Sequence, residues 1–200
     1  MSLDTRPEAC TPGGLAEHGR ISIAFVVDRI LEGILADGGL GGIGLSETPV
    51  ATPYVKDYDA IDGEGPARWA GCFDISNWGM IGAYQDGVRV GGAVIALRTA
   101  GLHMLASRDD LAVLWDIRVA PGQRGSGAGS ALFRAAEGWA AARGCRWLKA
   151  ETQNVNVAAC RFYRAMGCTL GAIDRFAYPG LPSETQLLWW KALQAPREGE

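Results

Sequence analysis

The chain has 200 residues and a formal net charge of −3, and 48% of its residues are hydrophobic while 20% are charged. This composition is typical of a globular protein that can bury a core without metal or disulfide cross-links. It lacks the excess positive charge that marks a nucleic-acid-binding surface, and no apolar run is long enough to span a membrane. We therefore expect neither a nucleic-acid partner nor a membrane partner.

Cysteine and histidine usage bears on compartment and on metal binding. The five cysteines are scattered without a CxxC pair, and the chain has only two histidines. This pattern predicts reduced thiols and no metal site. The first residues also lack the apolar core of a signal peptide. Together these features predict a cytoplasmic protein.

The first third of the chain has a weak pattern. Residues 1–20 mix proline, glycine and charged side chains, which predicts a flexible leader before a single domain over residues 21–195 and a tail over residues 196–200. Residues 21–35 are apolar and fit either a strand or a short helix. Residues 37–69 are rich in glycine, proline and aspartate and predict a long irregular connection. Three of its glycines have the GxGxxG spacing of dinucleotide-binding proteins, but the SETP that follows ends a helix, so we interpret them as a plain loop. These glycines are Gly39, Gly41 and Gly44.

The second half of the chain has a sharper pattern. Two β-rich runs flank Asp86-Gly87, a pair typical of a tight hairpin, and residues 111–119 form an apolar run that predicts a buried strand. A glycine-rich loop, two amphipathic helices and three more strands follow, which predicts an α/β fold with a mixed sheet. The predicted bounds are helix 131–144, strand 145–151, helix 155–167 and closing strands within 168–180 and 185–193.

The loop after the buried strand holds Gly125, Gly127 and Gly129 in alternation. Glycine permits left-handed backbone and the close approach of a ligand, and the first N–H groups of a helix attract anions. Arg124 and Ser126 add donors, so the loop suits a phosphate or a diphosphate. It is not a Walker A loop, which needs GK[ST], nor a dinucleotide motif, because a serine replaces the third glycine. From the loop alone, an anion cradle and a packed glycine turn are both open.

A second motif, on the second helix after the loop, extends the pattern. The loop contains R-x-x-G-x-G and the helix contains N-x-x-A-x-x-F-Y, and together they resemble the signature of GNAT superfamily N-acetyltransferases. The segments ETQNVNVAAC and SETQLLWW further resemble the streptothricin acetyltransferases of that superfamily. The resemblance covers residues 78–192. The motif positions are Arg124, Gly127, Gly129, Asn156, Ala159, Phe162 and Tyr163.

The resemblance implies a GNAT fold, in which helices flank a mixed, mostly antiparallel sheet with a splayed parallel strand pair. It also implies acetyl-CoA as the acetyl donor and no metal. The pantetheine arm would pair with the backbone of the strand before the loop, and the pyrophosphate would bind the N–H groups of the loop. Asn156 would cap its helix or bind the pantetheine region. The strand positions are Ile117, Arg118 and Val119; the loop positions are Arg124, Gly125, Ser126, Gly127, Ala128, Gly129 and Ser130; the helix positions are Asn156, Ala159 and Tyr163.

The acetyl transfer that the resemblance implies requires deprotonation of an ammonium group, stabilisation of an oxyanion and protonation of a leaving thiolate. Tyr163 has the position of the family's general acid, and is otherwise an aromatic residue that packs on the sheet. Asp116 and Glu151 are equal candidates for the base, and each is otherwise a solvated or salt-bridged carboxylate. Asp174 is a third carboxylate, a candidate to line the acceptor site.

We therefore expect an acetyl-CoA-dependent N-acetyltransferase that modifies a primary amine of a small cationic molecule, with streptothricin as the leading substrate. The alternatives are an acetyltransferase for protein or peptide amines and a module that binds acetyl-CoA without turnover. The sequence itself does not give an oligomeric state; since many members of the superfamily are dimers, a homodimer is one candidate. Residues 69–78, WAGCFDISNW, either wall the acceptor site or fill the core.

Overall fold

The computed structural model describes residues 2–194. Within that range the chain forms nine β-strands and four α-helices. The predicted tail over residues 196–200 lies outside the described residues. The elements are β1 (Leu3–Glu8), α1 (Pro12–Gly19), β2 (Phe25–Leu35), β3 (Ile43–Lys56), α2 (Pro66–Cys72), β4 (Gly79–Gln85), β5 (Val88–Ala96), β6 (Leu111–Val119), α3 (Ala128–Ala141), β7 (Trp147–Gln153), α4 (Val157–Ala165), β8 (Thr169–Asp174) and β9 (Gln186–Ala192).

Seven strands form one sheet in the order β1-β4-β5-β6-β7-β9-β8, and β2 and β3 form a second, two-stranded sheet. The β1–β4, β4–β5, β5–β6 and β8–β9 pairs are antiparallel. β6 and β7 are neighbours joined through α3, which is the crossover connection of a parallel pair. The predicted α/β fold, with a mixed and mostly antiparallel sheet that includes a parallel pair, is confirmed.

The chain divides into two compact units. The first unit comprises Met1–Ile23, Asp57–Lys149 and Lys191–Glu200. The second unit comprises Ala24–Lys56 and Ala150–Trp190. The first therefore holds α1, α2, α3 and strands β1 and β4 to β6, and the second holds α4, the β2–β3 hairpin and the β8–β9 pair.

The segment predicted to be a flexible leader instead forms β1 and α1. β1 pairs with β4 along its length, from Leu3 opposite Gln85 to Glu8 opposite Met80. Pro7 is tolerated because β1 is an edge strand, where a missing N–H can face away from the sheet. In α1 the Thr11 hydroxyl oxygen caps the first turn by accepting from the Gly14 N–H at 3.1 Å. The prediction for residues 1–20 was wrong because both elements depend on partners distant in sequence.

The irregular connection predicted over residues 37–69 is also wrong in part, because it contains the 14-residue strand β3. β3 pairs with β2, from Ile43 opposite Leu35 to Lys56 opposite Phe25. The proline residues of β3 obscured this strand, yet each strand of a two-stranded sheet has an unpaired edge that accepts proline. The three glycines with dinucleotide-like spacing lie in the hairpin turn and at the start of β3, so a strand follows them where the dinucleotide motif needs a helix.

Elements of the second half follow the sequence pattern closely. β6 covers the predicted residues 111–119, and the β4–β5 turn has left-handed backbone at Asp86 and Gly87, with φ of 49° and 84°. α3 packs against β4, β5 and β6. A Cβ added to Gly79 would lie 2.3 Å from the nearest ring atom of Trp139 on α3, which is too close for any side chain. β4 therefore needs glycine at that position.

Candidate active site

The glycine-rich loop of the first unit follows β6. The chain leaves the strand through a single 3-10 turn at Pro121–Gln123 and then takes left-handed backbone at Gly125 and Gly127, with φ of 84° and 94°. Only glycine adopts these angles without strain, which explains both glycines. Gly127 is the N-cap of α3 and provides no side-chain cap, so N–H groups of the first turn other than that of Ala128, which meets the Ser126 hydroxyl, can bind an external anion.

Arg124 begins this loop and ties it down. Its Nε donates to the carbonyl oxygen of Val119 at 3.3 Å, and its Nη2 donates to the carbonyl oxygen of Ser22 at 3.2 Å. The Ser126 hydroxyl oxygen lies 3.4 Å from the N–H of Ala128 at the start of the helix. The Arg124 side chain therefore holds the loop to Val119 and Ser22, and the role of the loop backbone as an anion cradle stays a prediction.

The backbone of β6 at the predicted pantetheine positions is held on one side by β5. Ile117 lies opposite Ala93, Arg118 opposite Gly92 and Val119 opposite Gly91. The register shifts between the pairs Val94–Asp116 and Ile95–Leu114, so Trp115 is an extra residue that forms a β-bulge. The bulge bends β6 directly before the segment that is predicted to pair with a cofactor.

Asp116 lies in a buried ion-pair network. Its Oδ1 accepts from His18 Nε2 at 2.7 Å and from Arg118 Nε at 2.9 Å, and its Oδ2 accepts from Arg118 Nη2 at 2.6 Å. Arg118 Nη1 also donates to Asp59 at 2.7 Å and to the carbonyl oxygen of Ile21 at 3.0 Å. Burial alone would raise the pKa of Asp116, but the hydrogen bonds from Arg118 and His18 outweigh it and hold the pKa well below its usual range. Such a carboxylate is a weak proton acceptor.

The sequence patterns missed His18 and Asp59 as partners of this network. His18 is completely buried and lies 98 residues before Asp116. No local spacing connects a residue of the first helix with a residue of β6. A lone histidine in a segment that resembles a leader carries no signal of its own.

Glu151 of the second unit has a different environment. Its Oε1 accepts from the Tyr178 hydroxyl at 2.5 Å and from Gln153 Nε2 at 3.2 Å, and its Oε2 accepts from Gln186 Nε2 at 2.8 Å. All three donors are neutral, and the carboxylate is half-buried. Burial, followed by the nearby carboxylate of Glu151, raises the pKa of the Tyr178 phenol, which therefore remains a hydrogen-bond donor.

Tyr163 lies on α4, with 4% of its surface exposed. Its ring stacks on Trp189 with centroids 6.4 Å apart and an interplanar angle of 24°. Trp189 Nε1 donates to the Thr152 hydroxyl, which also contacts Cys160 of α4. Because successive residues of a strand point to opposite faces, Thr152 faces α4 and Glu151 faces away from it. Tyr163 therefore lies on one face of β7, and the Glu151 side chain lies on the other.

The remaining predicted residues of the second unit have local roles. Asn156 is the N-cap of α4, and its Oδ1 accepts from the Ala159 N–H at 3.1 Å, which confirms its capping role. Asp174 is exposed and accepts from the Phe176 N–H at 2.8 Å, closing the turn after β8. A contact between Asn156, Ala159 or Tyr163 and a cofactor stays a prediction, as does a contact of Asp174 with an acceptor.

The WAGCFDISNW segment forms most of α2 and the turn that follows it. Its aromatic rings gather around Trp115, with centroids between 5.5 and 6.1 Å away. Trp78 is buried and donates to the Thr99 hydroxyl at 2.8 Å, whereas the other rings are half-buried. Trp78 therefore belongs to the core, and a role of the half-buried rings as a wall of the acceptor site stays a prediction. The rings are Trp69, Phe73 and Trp78.

Among residues 2–194 no group of three or more histidine, cysteine or acidic side chains could hold a metal ion. Over the same range no helix is long and apolar enough to cross a membrane.

Comparison with known proteins identifies the family. Residues 52–168 match the acetyltransferase (GNAT) family, which is more than half of the chain. The chain belongs to the GNAT family. The predicted resemblance is confirmed, and the chain is an N-acetyltransferase. GNAT acetyltransferases use acetyl-CoA.

Individual GNAT relatives share most of the length of this chain. A streptothricin acetyltransferase from Escherichia coli is 30% identical over 83% of this chain and 84% of its own. A streptothricin acetyltransferase from Streptomyces lavendulae is 32% identical over 78% of each chain. The crystal structure of nourseothricin acetyltransferase, 27% identical, superposes with a TM-score of 0.74 over 97% of this chain and 100% of that one. A Bacillus anthracis protein in complex with acetyl coenzyme A, 24% identical, shares the fold with a TM-score of 0.72 over 96% of this chain and 100% of that one.

Proposed function

We propose that this enzyme transfers an acetyl group from acetyl-CoA to a primary amine of a small cationic molecule, with a streptothricin-type antibiotic as its substrate. The observation that carries the proposal is the similarity to streptothricin acetyltransferases over about four-fifths of the chain, at 30% and 32% identity. The similarity to nourseothricin acetyltransferase supports the same substrate class.

The donor would bind along β6 and at the loop that follows. The loop fits a diphosphate because Gly125 and Gly127 adopt left-handed backbone and α3 begins without a side-chain cap. Two phosphate groups need several fixed N–H donors. The N–H groups of Arg124 and Ser126 already donate to the carbonyl oxygens of Pro121 and Gln123, so the donors would come from the loop glycines and the first turn of α3. Ile117, Arg118 and Val119 would contribute backbone only, since the Arg118 side chain is committed to Asp116 and Asp59.

Acetyl-CoA supplies a thioester whose carbonyl carbon a neutral amine can attack. We assign Glu151 to the amine side because its carboxylate is half-buried and is hydrogen-bonded by neutral groups. It would take a proton from the ammonium group, directly or through water, and release it to solvent. Asp116, the equal candidate from sequence, is held by Arg118 and His18, so we propose that it maintains β6.

Tyr163 would donate the proton of its hydroxyl to the departing thiolate sulfur and recover one from solvent. Its ring is fixed by stacking on Trp189, which limits the positions that the hydroxyl can take. Since Glu151 faces the other side of β7, the base and the acid would act separately on opposite faces of the strand.

The test is a thiol-release assay with acetyl-CoA and a panel of amines: streptothricin, an aminoglycoside, a polyamine and a lysine-containing peptide. We expect streptothricin to have the highest kcat/KM and to gain one acetyl group by mass spectrometry. Faster release with the peptide would favour the protein-amine alternative. Thiol release with none of the amines would contradict the proposal.

We further propose that the enzyme acts in the cytoplasm, where acetyl-CoA is available, and its five scattered cysteines without a CxxC pair agree with a reducing compartment. A homodimer stays a prediction. Light scattering measures it directly, and the mass of one chain in solution would contradict it.

A further inference from the structure

Neutral side chains surround the Glu151 carboxylate with hydrogen bonds and fix its orientation. We infer that Glu151 is the subsite for the acceptor's ammonium group, and that Tyr178 and Gln186 are positioning residues that leave it one open acceptor direction. We call these residues, with Gln153, the carboxylate cradle. This inference rests on the proposed function and adds to it a preference between two classes of cation.

The occupancy of the two carboxylate oxygens carries the inference. A carboxylate offers about four acceptor directions, two on each oxygen. Both directions of Oε1 are used, one by the Tyr178 hydroxyl and one by Gln153 Nε2. Within residues 2–194, Oε2 receives only the amide of Gln186. One direction therefore remains, on Oε2, and it can accept one N–H group.

The charge of the cradle points to a cation as the ligand. Two other glutamates of the second unit have basic partners: Glu184 is paired with Lys56, and Glu47 with Arg29 and Arg161. The hydrogen-bond donors to Glu151 are all neutral, so they orient its negative charge without cancelling it. Binding of a cation from solution is therefore favourable for a half-buried carboxylate whose charge is not neutralised.

The backbone around the cradle is anchored. Tyr178 lies in the connection between β8 and β9, and its carbonyl oxygen accepts from the Leu181 N–H at 3.0 Å. The end of the connection is fixed by Asn154, whose Oδ1 accepts from the Thr185 N–H at 2.8 Å, next to Gln186. Tyr178 Oη also accepts from Gln153 Nε2 at 3.0 Å, so donors and carboxylate form one connected set. Such a set is preorganised before a substrate arrives.

One open direction selects between amine and guanidine groups. A guanidinium binds a carboxylate best through two parallel N–H groups, which need an open direction on each oxygen. Because Oε1 is filled, a guanidinium at the cradle can make only one of these two bonds. An ammonium group needs only one, so the cradle favours a primary amine over a guanidine of the same shape.

The experiment uses the full chain with streptothricin as substrate and, as a competitive inhibitor, the derivative in which its β-lysine amine is a guanidine. For the wild type we expect an inhibition constant of the guanidine about tenfold above the KM of the amine. Tyr178→Phe opens a direction on Oε1, so it should raise the KM of the amine about tenfold and bring the two constants closer together. The KM of acetyl-CoA should change by less than about twofold.

Tyr54→Phe is the matched control, since Tyr54 is an exposed tyrosine of β3 in the same unit. Its constants should equal those of the wild type. Gln186→Met tests the opposite oxygen, and it should also raise the KM of the amine, which keeps the inference testable if Tyr178→Phe does not fold. The inference is overturned if the amine-to-guanidine ratio is unchanged in Tyr178→Phe, or if the KM values of amine and acetyl-CoA rise together.

Calorimetric titration of both ligands separates this inference from the proposed function. A wild-type chain that prefers the amine but releases no thiol would contradict the proposed function and support the subsite. A wild-type chain that acetylates streptothricin, with a Tyr178→Phe variant of unchanged preference, would contradict the subsite alone.

Discussion

The buried pair of Asp116 and Arg118 provides the prediction with the most direct magnitude. Asp116→Asn removes a charge at nearly constant volume and leaves Arg118 Nε without a charged acceptor. Nη1 retains Asp59 at 2.7 Å, and Nη2 retains only its longer contact with Asp59 at 3.4 Å. Removing one partner of a buried ion pair costs about 3–5 kcal/mol, and the remaining amide oxygen places the loss near the lower end. For a chain of this size, about 3 kcal/mol corresponds to a fall in Tm of about 6–12 °C.

The assay is urea and thermal unfolding of Asp116→Asn beside Asp110→Asn. Asp110 forms a bidentate pair with Arg108, also two residues away in sequence, but those side chains are 33% and 38% exposed, against 5% and 1% for Asp116 and Arg118. The control should lose less than about 1 kcal/mol. Equal losses in the two variants would refute the assignment of Asp116 to a stabilising network.

The same carboxylate predicts a dependence of stability on pH. The pKa of Asp116 is lower in the folded chain than in the unfolded chain, where it is about 3.9. Its contribution is therefore complete at neutral pH and is lost as the pH falls below about 4 towards the folded-state pKa. Wild type should lose more unfolding free energy than Asp116→Asn between neutral and acidic pH. Parallel pH profiles would contradict this account.

Three further predictions concern binding and catalysis. Ser126→Asp places a negative charge beside the predicted diphosphate and should weaken acetyl-CoA binding about tenfold to a hundredfold by calorimetry. The neutral control Ser126→Asn should bind acetyl-CoA as the wild type does. Equal affinities of the two variants would count against diphosphate binding at the glycine-rich loop. Asn156→Ala should cost about 1 kcal/mol in unfolding free energy, while Asn156→Asp keeps the cap; a rise in the KM of acetyl-CoA for Asn156→Asp would indicate a cofactor contact instead. Tyr163→Phe should lower kcat about a hundredfold with little change in the KM of acetyl-CoA, and an unchanged rate across pH would remove Tyr163 as the acid.

The parts of the fold that were predictable are those whose signal is local. The apolar run of β6, the glycine-rich loop and the helical spacing of apolar residues in α3 follow one another clearly in the sequence. The structure confirms β6 over the predicted residues. β1 and α1 lack such a signal. β1 is stabilised by β4, about 80 residues away, and α1 is short and glycine-rich and is held by the burial of Leu15 and His18. Local composition cannot show either contact.

The candidate site divides in the same way. The left-handed angles at Gly125 and Gly127 and the cap at Asn156 were predictable, because turns and helix caps depend on neighbouring residues. The environments of the two rival carboxylates were not. Asp116 meets His18 from the first helix and Glu151 meets Tyr178 from a later loop, so sequence rated the two as equal and only the structure distinguishes them.

The central claim is that the loop after β6 holds the diphosphate of acetyl-CoA, and a crystal structure of the complex with coenzyme A tests it most directly. We predict diphosphate oxygens within hydrogen-bond distance of backbone N–H groups between Arg124 and Ser130, at the start of α3. Coenzyme A bound with its diphosphate away from this loop would contradict the account.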